Sequence, residues 1–398
     1  MTRQTVIITN GEERAALAVV RSLGRSGYRC IVTESRRGSI SAASRYCARS
    51  LRVPDALREP DKFADSIAAL AAAERASVVI PIAEQSMLAI LPIRDRLTPA
   101  VVPFPSLEIF SNICDKRLVL QEAEKIGIAV PAQLVVASRE QISSSEAKGL
   151  RFPIVIKPAR SVNGNGRDRA KLGVTYASSA AELFEKARSL PNAAFPLLLQ
   201  ERIEGPGTGI FMLLWDGAVR ARFAHQRLCE KPPNGGVSVY CESITVEESL
   251  VALSQKLLER FGWSGVAMVE YKRDQRTGKP YLMEVNGRFW GSLQLAIDAG
   301  IDFPRFLVEC ALGSPPKSEA RYRVGVRSRW WWGQVDHVVG RMRRRKSAPP
   351  IPPGTVSLPR AFGDMLLGPF RQRDYEEVMW WSDPRPFLNE TLRWIGGR

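Results

Sequence analysis

The sequence predicts an α/β protein with an open parallel sheet at its start, mixed strand and helix units after it, and a mostly helical end. Three observations carry this. Short apolar runs alternate with helical spacing through the first hundred residues, residues 266–288 read as a buried β-hairpin, and a chain of 398 residues that is 45% hydrophobic can bury a large core. That length suggests two to three domains.

Residues 5–9 read as a strand, 12–23 as a helix closed near Gly24 and Gly27, and 30–33 as a second strand. A helix over 63–74 and strands over 78–82 and 101–102 follow. Such alternation argues for parallel strands joined by helical crossovers. No G-x-G-x-x-G follows the first strand, and the lone Asn10-Gly11 turn is only weak evidence for a dinucleotide, so NAD binding is not expected here. The apolar run 6–8 is too brief for a signal peptide, and no stretch approaches the roughly 18 apolar residues of a membrane span. Six scattered cysteines, without a C-x-x-C pair, favour reduced thiols and a cytoplasmic protein over disulfides or zinc.

A second unit begins near Asp115, a candidate N-cap for a helix over 116–126 that stops at Gly127 and Pro131. The strand Phe152-Pro153-Ile154-Val155-Ile156-Lys157-Pro158 then delivers a lysine at its end. An ammonium there is costly unless it emerges toward an anion. The segment Ser161-Val162-Asn163-Gly164-Asn165-Gly166 either wraps phosphate oxygens with its backbone amides or is an ordinary turn. Residues 195–200 form a strand running into Glu201-Arg202-Ile203-Glu204-Gly205, and 209–215 a further strand.

The hairpin is the most informative stretch. Two apolar runs flank a polar nine-residue segment, and symmetry about Thr277 sets Glu270 opposite Glu284. Period-two alternation puts Glu284, Asn286 and Arg288 on one face. Facing carboxylates repel unless a cation sits between them, and two acids with an amide suit Mg²⁺ (or Mn²⁺). Arg288 is placed to hold a phosphoryl or carboxylate oxygen. The alternative is a solvated hairpin with ordinary acids.

In order and spacing, Asp115-Lys116, Val155-Ile156-Lys157-Pro158, Gln200-Glu201-Arg202-Ile203, Val269-Glu270-Tyr271-Lys272 and Met283-Glu284-Val285-Asn286-Gly287-Arg288 resemble the ATP-grasp carboxylate–amine ligases over most of residues 1–315. The resemblance implies an ATP-grasp fold, α+β in its grasp domains, preceded by the open α/β domain. It divides the chain into a pre-grasp domain over 1–112, a lid-bearing domain over 113–195, a large metal-bearing domain over 196–318, and a basic, Trp-rich extension over 319–398. In that pattern Lys116 and Lys157 contact the phosphates of ATP, aided by the loop Ser161, Gly164 and Gly166. The backbone around Gln200, Glu201, Arg202 and Ile203 recognises adenine. Glu270, Glu284 and Asn286 hold the metal, and Arg288 steadies the transferred phosphoryl group. Many members place an acid after the hinge glycine to hold ribose; here Gly205-Pro206-Gly207 follows, leaving Glu204 as the substitute.

The implied reaction is amide formation through an acyl phosphate, with release of ADP and phosphate, from a small-molecule carboxylate and amine. Phosphoryl transfer needs in-line positioning and cancelled charge, which two acids, two lysines and an arginine supply. Because water destroys an acyl phosphate, the 161–166 loop is expected to be a lid. On the acceptor side, Arg227 is read as a clamp for the substrate carboxylate and His225 as a proton acceptor, or both as structural. A bicarbonate-using carboxylase or carbamoyl-phosphate type enzyme, and a non-catalytic nucleotide-binding protein at a membrane surface, are the rival readings. A homodimer is common among proteins of this kind.

The formal charge of +16 is uneven: residues 321–346 hold nine Arg or Lys and one Asp. The remainder is mildly basic, which suits anionic substrates without requiring nucleic acid. Trp330-Trp331-Trp332, the basic run 341–346, the proline-rich 348–353 and the final tryptophans pack a helical extension on the body, contact an anionic membrane or acidic protein, or bind nucleic acid by stacking and phosphate contacts, the first being the simplest reading.

Overall fold

The computed structural model describes residues 3–142, 149–164, 169–233, 235–316, 320–343, 351 and 355–396. Its first layer is a parallel sheet ordered Cys47–Arg52, Arg29–Glu34, Thr5–Ile8, Val78–Ile80. The apolar faces of the Arg14–Arg25 and Pro60–Ala73 helices cover it, burying Val19, Val20, Leu23, Phe63 and Ile67. Two details differ from expectation. Cys47–Arg52 is an extra edge strand whose mostly exposed, polar residues give no apolar alternation. The strand expected at 101–102 is a single bridge between Val101 and Val78.

A second, antiparallel sheet runs Gln133–Val136, Leu197–Glu201, Ile154–Pro158, Thr175–Ala177. Leu197–Glu201 pairs on both sides within it. The boundary expected after residue 195 is therefore corrected: the central unit runs through Glu201. An apolar run reads the same whichever sheet it joins, and only pairing decides.

The third sheet has seven strands, ordered Pro280–Asn286, Gly265–Arg273, Gly207–Trp215, Ala218–Lys231, Val237–Ser243, Arg327–Arg329, Asp374–Glu376. Its last two strands come from the C-terminal segment, which is mostly helical (Trp331–Met342, Leu358–Leu367, Arg385–Ile395) but is not separate from the large sheet, so the boundary at 318 is also corrected.

Buried charge ties this segment to the first layer. Arg21 donates to the Asp383 carboxylate at 2.9 Å, both side chains being 1% exposed, and to the carbonyls of Glu377, Val378 and Asp383. Asp383 also accepts from the Ser44 hydroxyl at 2.6 Å and the Arg45 amide at 2.9 Å. Removing one partner of such a pair strands the other in a dry interior, at a cost of about 3–5 kcal/mol. Asp383→Ala should lose that much stability in urea unfolding, whereas replacing Arg21 and Asp383 together by apolar residues should recover a large part of it.

Trp330, Trp332 and Trp394 are engaged internally, whereas Trp381 is 93% exposed. Trp330 donates to Glu390 at 2.8 Å beneath the Arg14 guanidinium, 4.2 Å from the ring centroid. Trp332 stacks on Trp394 at 4.1 Å and donates to Thr391. Residues 344–350 and 352–354 of the basic and proline-rich runs lie outside the described residues.

Candidate active site

The Gly265–Arg273 and Pro280–Asn286 strands pair antiparallel with Glu270 opposite Glu284, and a bulge follows Glu270. Direct cross-strand neighbours project to one face, so the two carboxylates share it. The Asn286 amide donates to Glu284 at 3.1 Å. Gly287 then lets the chain pass Trp263: a Cβ there would lie 2.3 Å from the indole, so no side chain fits where the strand turns toward Arg288.

Lys116 opens the Lys116–Lys125 helix, capped by the Asp115 carboxylate as the sequence suggests. Its Nζ lies 3.0 Å from the Ser161 hydroxyl and 3.4 Å from Glu284. Lys157 emerges from Ile154–Pro158 with its Nζ 3.9 Å from the Met283 sulfur. Burial would raise the Glu284 carboxyl, but Lys116 and Lys157, with the Asn286 amide, hold it at about 2. Burial depresses the Lys157 ammonium to about 8, against the pull of Glu284 and with repulsion from Lys116. Glu270 is raised by burial and by Glu284, with Arg227 opposing.

Arg227, 11% exposed, bonds Glu270 at 2.6 Å and Glu230 at 3.0 Å. Each facing carboxylate thus already has a cation from the protein, which corrects the expectation that only a divalent ion makes the pair tolerable. The guanidinium expected to clamp a substrate carboxylate is engaged in the sheet instead. Two carboxylates and an amide remain a hard oxygen donor set fitted to Mg²⁺. Among the described residues no group of three or more acidic, His or Cys side chains is arranged for a metal, so an ion here would complete its shell with phosphate and water.

Lys116, Ser161, Glu284, Asn286 and Arg288 line one cleft, and so does Glu84, which the sequence reading missed. Glu84 opens the helix after the Val78–Ile80 strand, and its carboxylate accepts the Val162 amide at 3.2 Å. Burial raises that carboxyl, with Arg288 and Lys116 opposing. One signal was available: an acid at the first helical turn beyond a parallel strand's carboxyl end, where ligands of α/β sheets gather.

Val162–Asn163 pairs with Ala170–Lys171 as a short hairpin over this cleft's edge, and Gly164 there has φ 98°. Gly166 lies outside the described residues. The segment after Leu197–Glu201 links the small sheet to the large one. Gln200 donates to Gln133 at 2.7 Å, Glu201 pairs with Arg151 at 3.1 Å, and the Arg202 guanidinium lies 5.7 Å from the Tyr176 centroid. Ile203 and Glu204 follow, the Glu204 carbonyl accepting the Gln275 amide. At Gly205 (φ 151°) a Cβ would meet the Arg273 carbonyl at 1.9 Å, so this crossing requires glycine.

His225 is corrected outright. It is fully buried, edge-on to Phe211 at 4.6 Å, and both ring nitrogens lack a partner among the described residues. Burial and Arg227 push its pKa well below the ordinary value. A neutral ring sealed in the core cannot take a proton from a substrate. Alternation put His225 and Arg227 on one face, but the irregular pairing beyond Arg227 and the packing of Phe211 and Phe223 sealed the histidine.

A parallel layer, a small antiparallel sheet with a short hairpin, and a large sheet presenting paired acids make up an ATP-grasp fold, the fold of the solved structures it resembles. Residues 194–332 match the family model described as ATP-grasp in the biosynthetic pathway with Ter operon. The chain is similar to a D-aspartate ligase of Enterococcus faecium (strain Aus0004), 22% identical over 245 residues; the match covers 58% of this chain and 58% of that relative's length. Its structure resembles an L-amino acid ligase from Bacillus licheniformis (TM-score 0.63, 17% identity, 82% of this chain and 79% of that one). It also resembles the biotin carboxylase domain of the Hydrogenobacter thermophilus 2-oxoglutarate carboxylase, solved with MgADP and bicarbonate (TM-score 0.63, 15% identity, 82% and 74%).

Proposed function

We propose that the chain is an ATP-dependent ligase that joins a carboxylate to an amine. The observation carrying this is Glu284, which is held ionised by Lys116 and Lys157, pairs across the ladder with Glu270, and lines a cleft with Lys116, Asn286 and Arg288. These are groups of the kind phosphoryl transfer requires. The similarity to a D-aspartate ligase and the fold shared with an L-amino acid ligase support an amino acid as the carboxylate.

Lys116 and Lys157 cancel charge on the ATP phosphates, and the 201–204 segment borders adenine. Glu270, Glu284 and Asn286 would hold Mg²⁺, which neutralises phosphate charge when bound. Arg288 stabilises the equatorial oxygens as a carboxylate oxygen bonds the γ-phosphorus and ADP leaves. The amine nitrogen then bonds the acyl carbon, phosphate departs, and the ammonium proton must go to a base. Glu84 is the carboxylate in the cleft that no metal role uses, and its raised pKa suits proton uptake.

The test is phosphate release measured over pairs of carboxylates and amines. Release that requires both partners supports ligation. Release with bicarbonate and one organic partner would give the carboxylase reading its place, and binding of ATP without release under any pair would leave only a nucleotide-binding module. Glu84→Gln should lower kcat at saturating amine by roughly 10²-fold while the KM for ATP stays within a factor of two.

A further inference from the structure

Among the described residues, ten of the fifteen exposed large apolar side chains fall between Met342 and Ile395. The densest group sits on the Leu358–Leu367 helix and the Gly368–Phe370 turn after it. The helix carries apolar side chains on its outward side as well as its inward one, unlike an ordinary surface helix. Its inward side buries Ala361, Asp364 and Met365, while Phe362, Leu366, Leu367 and Phe370 project outward, Phe370 being 87% exposed.

Arginines surround this apolar ridge. Arg327, Arg360 and Arg371 line a hollow together with Gly363, Asp364 and Leu367. Arg371 pairs with Asp364 and Arg327 with Glu242 at 2.9 Å, and Arg360, 71% exposed, reaches Asp364 at 4.0 Å. Protruding apolar side chains beside a cationic hollow match the two layers of a lipid interface, acyl chains and anionic headgroups. A second copy of the chain fits less well, because a two-fold contact would set one basic surface against another. No described helix is long and apolar enough to cross a bilayer, so contact would be peripheral.

We propose that this ridge docks the protein on an anionic bilayer surface, with Phe362, Leu366, Leu367 and Phe370 entering the interface and Arg327, Arg360 and Arg371 facing headgroup phosphates. The surface shares no residue with the cleft, so docking and ligation are separable.

Co-sedimentation of the full chain with vesicles tests this. Vesicles of phosphatidylcholine with about a third phosphatidylglycerol should pull down the protein at least tenfold more than pure phosphatidylcholine, and high salt should reverse it. Leu366→Ser with Phe370→Ser, and separately Arg360→Glu with Arg371→Glu, should each reduce binding at least tenfold while thermal melting and ATP turnover stay unchanged. Equal binding to both vesicles, no binding to either, or binding untouched by both variants overturns the proposal. So does competition by inorganic phosphate alone at millimolar concentration, which would make the hollow a free-anion site. A wild-type dimer that the serine variant converts to monomer, without vesicle binding, would overturn it in favour of self-association.

Discussion

Glu284→Gln should cut ATP turnover by about 10²–10³-fold while leaving the circular dichroism spectrum unchanged. The substitution keeps the shape and removes one charge at the centre of the site. That charge meets the Lys116 ammonium at 3.4 Å and the Asn286 amide at 3.1 Å, and it is half of the facing acidic pair. Losing one preorganised electrostatic contact typically costs roughly 3–4 kcal/mol of barrier, which corresponds to that range. A second consequence sets the result apart from general damage. Glu284 raises the pKa of Lys157, so without it burial and Lys116 act unopposed and the lysine should lose its proton at lower pH than in the wild type. Turnover that stays normal would remove Glu284 from the metal and phosphate chemistry.

Lys157→Ala should raise the KM for ATP about a hundredfold at pH 7, and the gap from wild type should narrow above pH 8. The direction follows from the lysine's own titration. Burial lowers its pKa from 10.5 to about 8, so the free protein carries the ammonium below pH 8 and a neutral amine above it. Phosphate favours the ammonium, so nucleotide binding raises the pKa and takes up a proton. Wild-type affinity therefore falls as pH rises through 8, by roughly tenfold at pH 9, until the pKa of the bound state is reached. The alanine variant has no such group, and its affinity should lack this step. Parallel pH profiles for the two proteins would show that Lys157 does not meet the phosphates.

Much of the site was legible because strand periodicity is local. Symmetry about Thr277 set Glu270 against Glu284, and the ladder has that register. The Asp115 cap fixed where Lys116 stands, and an apolar strand ending in lysine announced a cation with somewhere to go. Properties that depend on what crosses from another element were not legible. The same alternation that placed His225 beside Arg227 could not show Phe211 closing over the ring or Glu270 and Glu230 taking the guanidinium. Glu84 is separated from Arg288 by 204 positions, and nothing local links them.

The sequence by itself determined the kinds of element, the facing acids and the lysine positions, because each follows from spacing within a few residues. Tertiary structure alone decided which sheet owns Leu197–Glu201, that Arg327–Arg329 and Asp374–Glu376 extend the large sheet, and that protein cations balance the acidic pair. Sheet membership and charge balance are set by through-space pairing between distant segments. Hydrogen-bond partners and dielectric surroundings exist only once the chain has closed on itself.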